Sequence, residues 1–347
     1  MTTATNTTPK DVGALARDPA WFPHALDANR RLLALARIDR TGLSNEPFLD
    51  QRMEKSVTGS MSAPFDALVA AAPANPPPSF IFHTAFCCST LMAKALDSNG
   101  AVLALKEPNV LMEAANVLRM AKGAGVETAR KTVSATVNLL ARPHQPGERI
   151  LIKPTNTANN IAPSIVASGA PVILLYGDLR GFLLSVLKKG EACKAFTRKQ
   201  YTIFALDGEG VAAIPERQAL GFTDLQIAAL VWRHQMEMFA RILSSGAANV
   251  RSLYFRDLLK DPQGVLKAAA AHLKLDLPDD KLAANVGAVF SKNSKFEDQE
   301  YTPEKRSRDE RSLEDRHREE LDLIEGWARQ LKLAVDVGDR LPKPLST

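Results

Sequence analysis

Cysteine is scarce in this chain: three in 347 residues, as the adjacent pair Cys87–Cys88 and the distant Cys193. With no CxxC spacing, both a disulfide framework and a structural zinc module are excluded, and no metal is expected. Long apolar runs are also missing. Val172–Tyr176 and Ile227–Trp232 are among the longest, far short of the roughly 20 residues that a membrane helix needs, so no membrane contact is expected. The first residues, MTTATNTTPKDVGALARD, lack a basic stretch followed by an apolar one, so no secretory signal is expected. Repeats of fixed period are absent, which excludes solenoids and propellers. Charge of one sign barely accumulates: 44 Lys+Arg against 39 Asp+Glu leave +5, too little to point to nucleic acid. What remains is a soluble, cytoplasmic protein, with 45% hydrophobic residues to build a sizeable core and room for a local anion site.

The chain divides by its grammar. Residues 1–75 read as a mainly helical segment, with a polar, frayed start. The pattern DANRRLLALARI (Asp27–Ile38) suggests an amphipathic helix capped by Asp27. The Pro-rich stretch Ala70–Ser79 cannot propagate a helix and separates this segment from a second unit over 76–347. There, short apolar runs alternate with helical patterns. SFIFH (Ser79–His83), VLALK (Val102–Lys106), RILIK (Arg149–Lys153), PVILLYG (Pro171–Gly177) and RSLYF (Arg251–Phe255) each precede a helix candidate. The predicted class is α/β, a three-layer parallel sheet flanked by helices. Thr223–Leu243 is a long helix candidate whose Trp232 and Met236 read as core. The charge run Glu304–Glu320 alternates in sign and reads as a solvated helix face.

In an open parallel sheet, ligands bind beyond the carboxyl ends of the strands. After SFIF comes His83-Thr84-Ala85-Phe86-Cys87-Cys88-Ser89-Thr90-Leu91-Met92. A phosphate held there would meet unpaired backbone N–H groups, the positive end of a helix dipole and the Ser89 and Thr90 hydroxyls. The loop is not a Walker motif: His, Cys and Ser stand at 83, 88 and 89, where GxxxxGK[ST] needs Gly, Gly and Lys. That loss disfavours an ATP-dependent phosphoryl transferase, the third of three readings.

The end of this loop, Ser89-Thr90-Leu91-Met92, resembles the phosphosulfate loop of the P-loop sulfotransferases, G-x-P-[RK]-S-G-T-T-L-L. Ala85, Phe86, Cys87 and Cys88 depart from it at the Pro, the cation, the Ser and the Gly. Four further segments follow in order. LKEP (Leu105–Pro108) follows the second strand. LIKPTN (Leu151–Asn156) has Lys153 at the position of the family's lysine. Val172–Lys189 resembles the 3′-phosphate segment, with Arg180 and Ser185 fitting but Gly177, Leu179 and Gly181 departing. Ser252–Leu275 resembles the last-strand segment, with Arg256 where Glu is common.

The resemblance spans roughly residues 78 to 330. It implies a sulfotransferase-like fold and 3′-phosphoadenosine 5′-phosphosulfate (PAPS) as co-substrate, with a small-molecule hydroxyl or amine as acceptor. It also implies a nucleotide cradle of Cys87, Cys88, Ser89, Thr90, Arg180, Ser185 and Lys188, with Lys292 and Lys295 in a late loop. Glu107 is the leading candidate base and His83 the alternative, while Lys106 and Lys153 end two strands and could replace the charge lost at Phe86. Each has a plain structural reading too: a helix-start carboxylate, a core histidine, two snorkelling lysines. Cys87 and Cys88 read either as reactive thiols at a helix start or as small apolar fillers. The second functional reading, from another class, is a binding or interaction module that keeps the fold without the catalysis.

Overall fold

The computed structural model describes residues 11–208, 210–290, 303–331 and 340–345. Each of the five apolar runs forms a strand: β4 Ser79–His83, β5 Val102–Lys106, β6 Arg149–Lys153, β7 Val172–Tyr176 and β8 Val250–Tyr254. They pair in the order β5-β6-β4-β7-β8, and every pairing is parallel. The pleat sorts their side chains between two apolar clusters. Phe80, Phe82, Leu103, Leu105, Ile150, Ile152, Val172 and Leu174 enter one. Ile81, Val102, Ala104, Leu151, Ile173 and Leu175 enter the other. Strands buried on both faces need no polar alternation, so these runs are continuously apolar. The architecture is α/β, a parallel sheet between two helical layers.

The second, smaller cluster is covered by helices Ser89–Leu96, Pro262–His272 and Asp279–Phe290. The first is covered by Asn109–Met120, Gly125–Leu140, Leu179–Lys189, Glu191–Ala205 and Asp224–Ser244. The last of these starts at a capping box between Thr223 and Gln226 and buries both Trp232 and Met236, as core residues do.

One expectation fails. Residues 27–38 are not a helix: β1 (Trp21–Asp27) turns into β2 (Leu32–Arg37), and β3 (Gly59–Pro64) pairs on β2's other side, all antiparallel. The turn is closed by the Asp27 carboxylate, which accepts the Arg30 N–H at 2.9 Å, and Arg31 adopts a left-handed φ of 49°. LLALAR fits either periodicity, because a short apolar run carries no unambiguous period. Partner strands on both sides decide the matter, burying Leu33 and Leu35 in the first cluster. The N-terminal segment therefore mixes a three-stranded sheet with short helices, and its apolar side chains join the cluster on one face of the parallel sheet.

This segment also reaches the strand ends. The N–H of Leu49 donates to the Lys106 carbonyl at 2.8 Å, and the N–H of Asn109 to the Leu49 carbonyl at 3.0 Å. Phe48, Asp50 and Arg52 are thereby held beside the carboxyl end of β5.

Candidate functional site

The loop from β4 to helix Ser89–Leu96 winds tightly. Ala85, Phe86 and Cys88 have φ of 68°, 54° and 62°, in the left-handed region that favours glycine. Each non-glycine residue there costs on the order of 1–2 kcal/mol, so the surrounding structure must hold the loop in place. Cys88 occupies the N-cap but makes no side-chain capping bond. The helix thus begins with uncapped N–H groups beside the Ser89 and Thr90 hydroxyls, an arrangement suited to an anion. The loop is braced by its neighbours: Gln235 Nε2, on the helix Asp224–Ser244, donates to the Thr84 carbonyl at 3.3 Å, and the N–H of Gly177, just after β7, donates to Thr84 Oγ1 at 3.4 Å.

The loop opens on a cavity of about 430 Å³, lined among others by His83, Phe86, Ser89, Thr90 and Glu107. Glu107 follows β5 directly, with a left-handed φ of 55° although Pro108 comes next. A residue before proline is biased toward extended backbone, so this conformation is doubly unusual. It is locked by the Glu107 N–H, which donates to the Lys153 carbonyl at 2.7 Å. The turn carries the carboxylate onto the cavity wall, where its Oε1 accepts a hydrogen bond from Lys153 Nζ. Lys153 is itself buried behind Glu107.

His83 ends β4 with both ring nitrogens engaged. Nδ1 accepts the Ala85 N–H at 3.1 Å, which leaves the proton on Nε2, and Nε2 donates to the Pro154 carbonyl at 3.1 Å. Nε2 also lies 3.9 Å from Glu107 Oε1. The tautomer follows from this bonding pattern, which fits a residue that holds the loop and faces the carboxylate.

The other expected residues do not all converge. Lys106 turns away from the cavity: its Nζ donates to the carbonyls of Ser44 at 2.8 Å and of Leu43 and Ala104 at 3.1 Å. Burial there pulls its pKa down to about 8. The expectation that Lys106 joins Lys153 at one anion site is therefore corrected: carbonyls of the N-terminal segment, with that of Ala104, turn Lys106 away. Cys87 packs into the second cluster, and burial raises its pKa to about 12, so its thiol is the apolar filler and not a thiolate. The Cys87 thiol donates to the Leu175 carbonyl at 3.5 Å, tying the loop to β7.

Arg180 lies outside the cavity lining. Its guanidinium reaches Glu325 at 2.9 and 3.2 Å and Glu314 at 3.2 Å, and also Asp322, all on the helix Pro303–Gln330. Bonds to Glu325 and Asp322 raise its pKa well above the ordinary arginine value. Ser185 Oγ is turned back to the Gly181 carbonyl at 2.9 Å, and Lys188 sits in the last turn of the same helix. Lys292 and Lys295 fall outside the described residues. Gly177, at the family's arginine, leaves little room: a Cβ there would lie 3.3 Å from the Phe255 ring.

Several residues near the cavity carry no motif. Lys189 Nζ stands 4.1 Å from the Phe86 ring centroid, bringing a cation to the loop position that lacks one. Arg52 stacks 3.8 Å over Phe48 and pairs with Asp50, and the Glu191–Ala205 helix adds Phe196, Lys199, Gln200 and Ile203. Only the ordering of the N-terminal segment and the 191–205 helix brings them together. Among the described residues, no group of three His, Cys, Asp or Glu side chains is placed to hold a metal, and no helix is long and apolar enough to cross a membrane.

No family model and no curated protein matches the chain. It is similar to solved sulfotransferase structures. The sulfotransferase domain of the curacin biosynthetic pathway matches at 13% identity and a TM-score of 0.36, over 61% of this chain and 78% of that one. A sulfotransferase from Alicyclobacillus acidocaldarius matches at 13% and 0.36, over 73% and 94%. One from Mycobacterium avium matches at 11% and 0.40, over 78% and 80%. Likeness this distant carries no argument about activity, which has to come from the strand-end geometry itself.

Proposed function

We propose that this protein transfers a sulfuryl group from PAPS to a hydroxyl or amine of a small molecule. The observation that carries the reading is the Glu107 carboxylate, turned into the cavity by a strained backbone and bonded to Lys153, opposite the uncapped start of helix Ser89–Leu96. In the proposed reaction, loop N–H groups and the Ser89 and Thr90 hydroxyls hold the 5′-phosphosulfate. Glu107 accepts the acceptor's proton as its oxygen or nitrogen bonds to sulfur. The bond from sulfur to the phosphate oxygen breaks, and 3′-phosphoadenosine 5′-phosphate leaves with that electron pair. Lys153 orients Glu107 and makes the potential at the loop positive, and His83 holds the strand-to-loop junction. Lys189, over Phe86, supplies a cation near the leaving phosphate.

Calorimetry with 3′-phosphoadenosine 5′-phosphate, followed by transfer of labelled sulfate to a panel of hydroxyl and amine acceptors, tests this. Absence of binding at millimolar nucleotide overturns it.

The engagement of Arg180 by three carboxylates favours the second reading, a nucleotide-binding or interaction protein on the same fold. Nucleotide binding without transfer to any acceptor supports that reading, and detected transfer excludes it.

A further inference from the structure

Four side chains of fixed charge line the cavity: Asp50, Arg52, Glu107 and Lys199. Three of them are already matched. Arg52 Nε reaches the two Asp50 carboxylate oxygens at 2.8 and 3.1 Å, and Glu107 accepts from Lys153 Nζ. Lys199 is exposed, and among the described residues no carboxylate or carbonyl is bonded to its ammonium. The other cations of its helix differ: Lys194 pairs with Glu191 at 2.7 Å and Arg198 with Asp224 at 2.5 Å. The cavity therefore carries one accessible positive charge that the chain itself leaves unmatched.

The same wall offers apolar surface. Phe196, Lys199 and Ile203 stand at i, i+3 and i+7 on the helix Glu191–Ala205, which places them on one face. Phe196 is 42% exposed, and neither it nor Phe48 joins an apolar cluster. Two phenyl groups outside the core, beside a single unmatched ammonium, are complementary to a flat apolar body with one negative charge. We propose that the acceptor is an aromatic hydroxy acid. Its ring lies against Phe48 and Phe196, its carboxylate pairs with Lys199, and its hydroxyl reaches Glu107. Assigning this ligand to the acceptor rests on the sulfuryl-transfer reading, which puts the reacting hydroxyl at Glu107.

The test is a calorimetric titration of the full chain at low salt with 4-hydroxybenzoate, 4-hydroxyphenylacetate and 3-(4-hydroxyphenyl)propionate, each against its primary amide. The three acids differ in the separation of hydroxyl and carboxylate, and each amide keeps the ring and the hydroxyl but removes the charge. At least one acid is expected to bind about threefold or more tightly than its amide, the scale of an ion pair open to solvent, with the preference shrinking at high salt. Lys199→Met, a change at an exposed position that leaves the fold intact, is expected to abolish the preference. Its affinity for 3′-phosphoadenosine 5′-phosphate should stay within twofold of wild type. A smaller preference for every acid, or no binding of any acid at millimolar concentration, overturns the proposal. A preference that survives Lys199→Met overturns it as well, since another group then reads the charge. A variant that loses nucleotide and acid together overturns the assignment to the acceptor. A Lys199-dependent acid preference in a protein that binds no nucleotide keeps the ligand class and sinks the sulfuryl-transfer reading. Sulfate transfer without any acid preference does the reverse, so the two fail separately.

Discussion

Lys106 and Lys153 are register partners at the ends of adjacent strands, both almost completely buried, yet their surroundings differ in kind. Around Lys106 every donor is met by a backbone carbonyl, and the ammonium ties the N-terminal segment to the sheet. Around Lys153 a carboxylate is held in an unfavourable backbone conformation beside a cavity, next to a loop with three left-handed residues. One strand end is satisfied and the other strained. Strain persists only where the surrounding structure enforces it, and it gathers where a site must be held ready, which is why the proposed reaction is placed at Lys153 and Glu107.

The largest test of this contrast removes each lysine in turn. Lys153→Met leaves a mostly buried carboxylate without its cation, and breaking such a pair costs about 3–5 kcal/mol. Lys106→Met strands neutral carbonyls instead, at about 1–3 kcal/mol. Chemical denaturation should rank them in that order. Sulfuryl transfer should disappear in Lys153→Met and persist in Lys106→Met, and the reverse ranking would dissolve the contrast.

Next in size is Glu107→Gln, which keeps the shape and a hydrogen bond to Lys153 but cannot take a proton. Loss of a general base lowers the rate by about 10²–10⁴-fold. The drop should fall on kcat in steady-state transfer assays, with affinity for 3′-phosphoadenosine 5′-phosphate nearly unchanged. A full-rate Glu107→Gln would make Glu107 a helix-start carboxylate and nothing more.

These two strand ends also show how far the sequence could be read. The five strands were legible because each is a short apolar run bounded by a turn or by proline. The turn from β4 into the helix that starts at Ser89 was legible because a short apolar run gives way to a helical pattern within a few residues. The direction of a lysine was not: Lys106 turns away because carbonyls at 43 and 44 come from a segment that gave no motif and was expected to be helical. Gln200, Arg52 and Lys189 were silent for the same reason, since their positions depend on tertiary contacts across long sequence separations.

A smaller effect appears with pH. Burial lowers the Lys106 pKa to about 8, so above that value the folded chain holds fewer protons there than the unfolded chain. Stability therefore gains from this group as pH rises from about 8 through the ordinary lysine range near 10.4, and below about 8 its contribution is flat. Lys106→Met should remove that part of the slope in denaturation curves taken across the window. An unchanged slope would mean that the carbonyl ring keeps Lys106 charged, and the satisfied end would then resemble the paired one.

The smallest effect lies in the loop itself. Cys88 holds a φ of 62° at the position where the resembling family has glycine. Replacing it with glycine removes a steric cost of about 1–2 kcal/mol, partly offset by the roughly 0.5–1 kcal/mol of extra freedom that glycine has in the unfolded chain. Cys88→Gly should raise stability by up to about 1 kcal/mol, whereas Cys88→Ala, which keeps a Cβ, should leave the strain in place. Nucleotide affinity decides what the strain is for. If Cys88→Gly is more stable and binds equally well, the neighbouring contacts of Thr84 and His83 hold the cradle without help from residue 88. If it is more stable and binds more weakly, the residue at 88 contributes to keeping the N–H groups aimed at the anion.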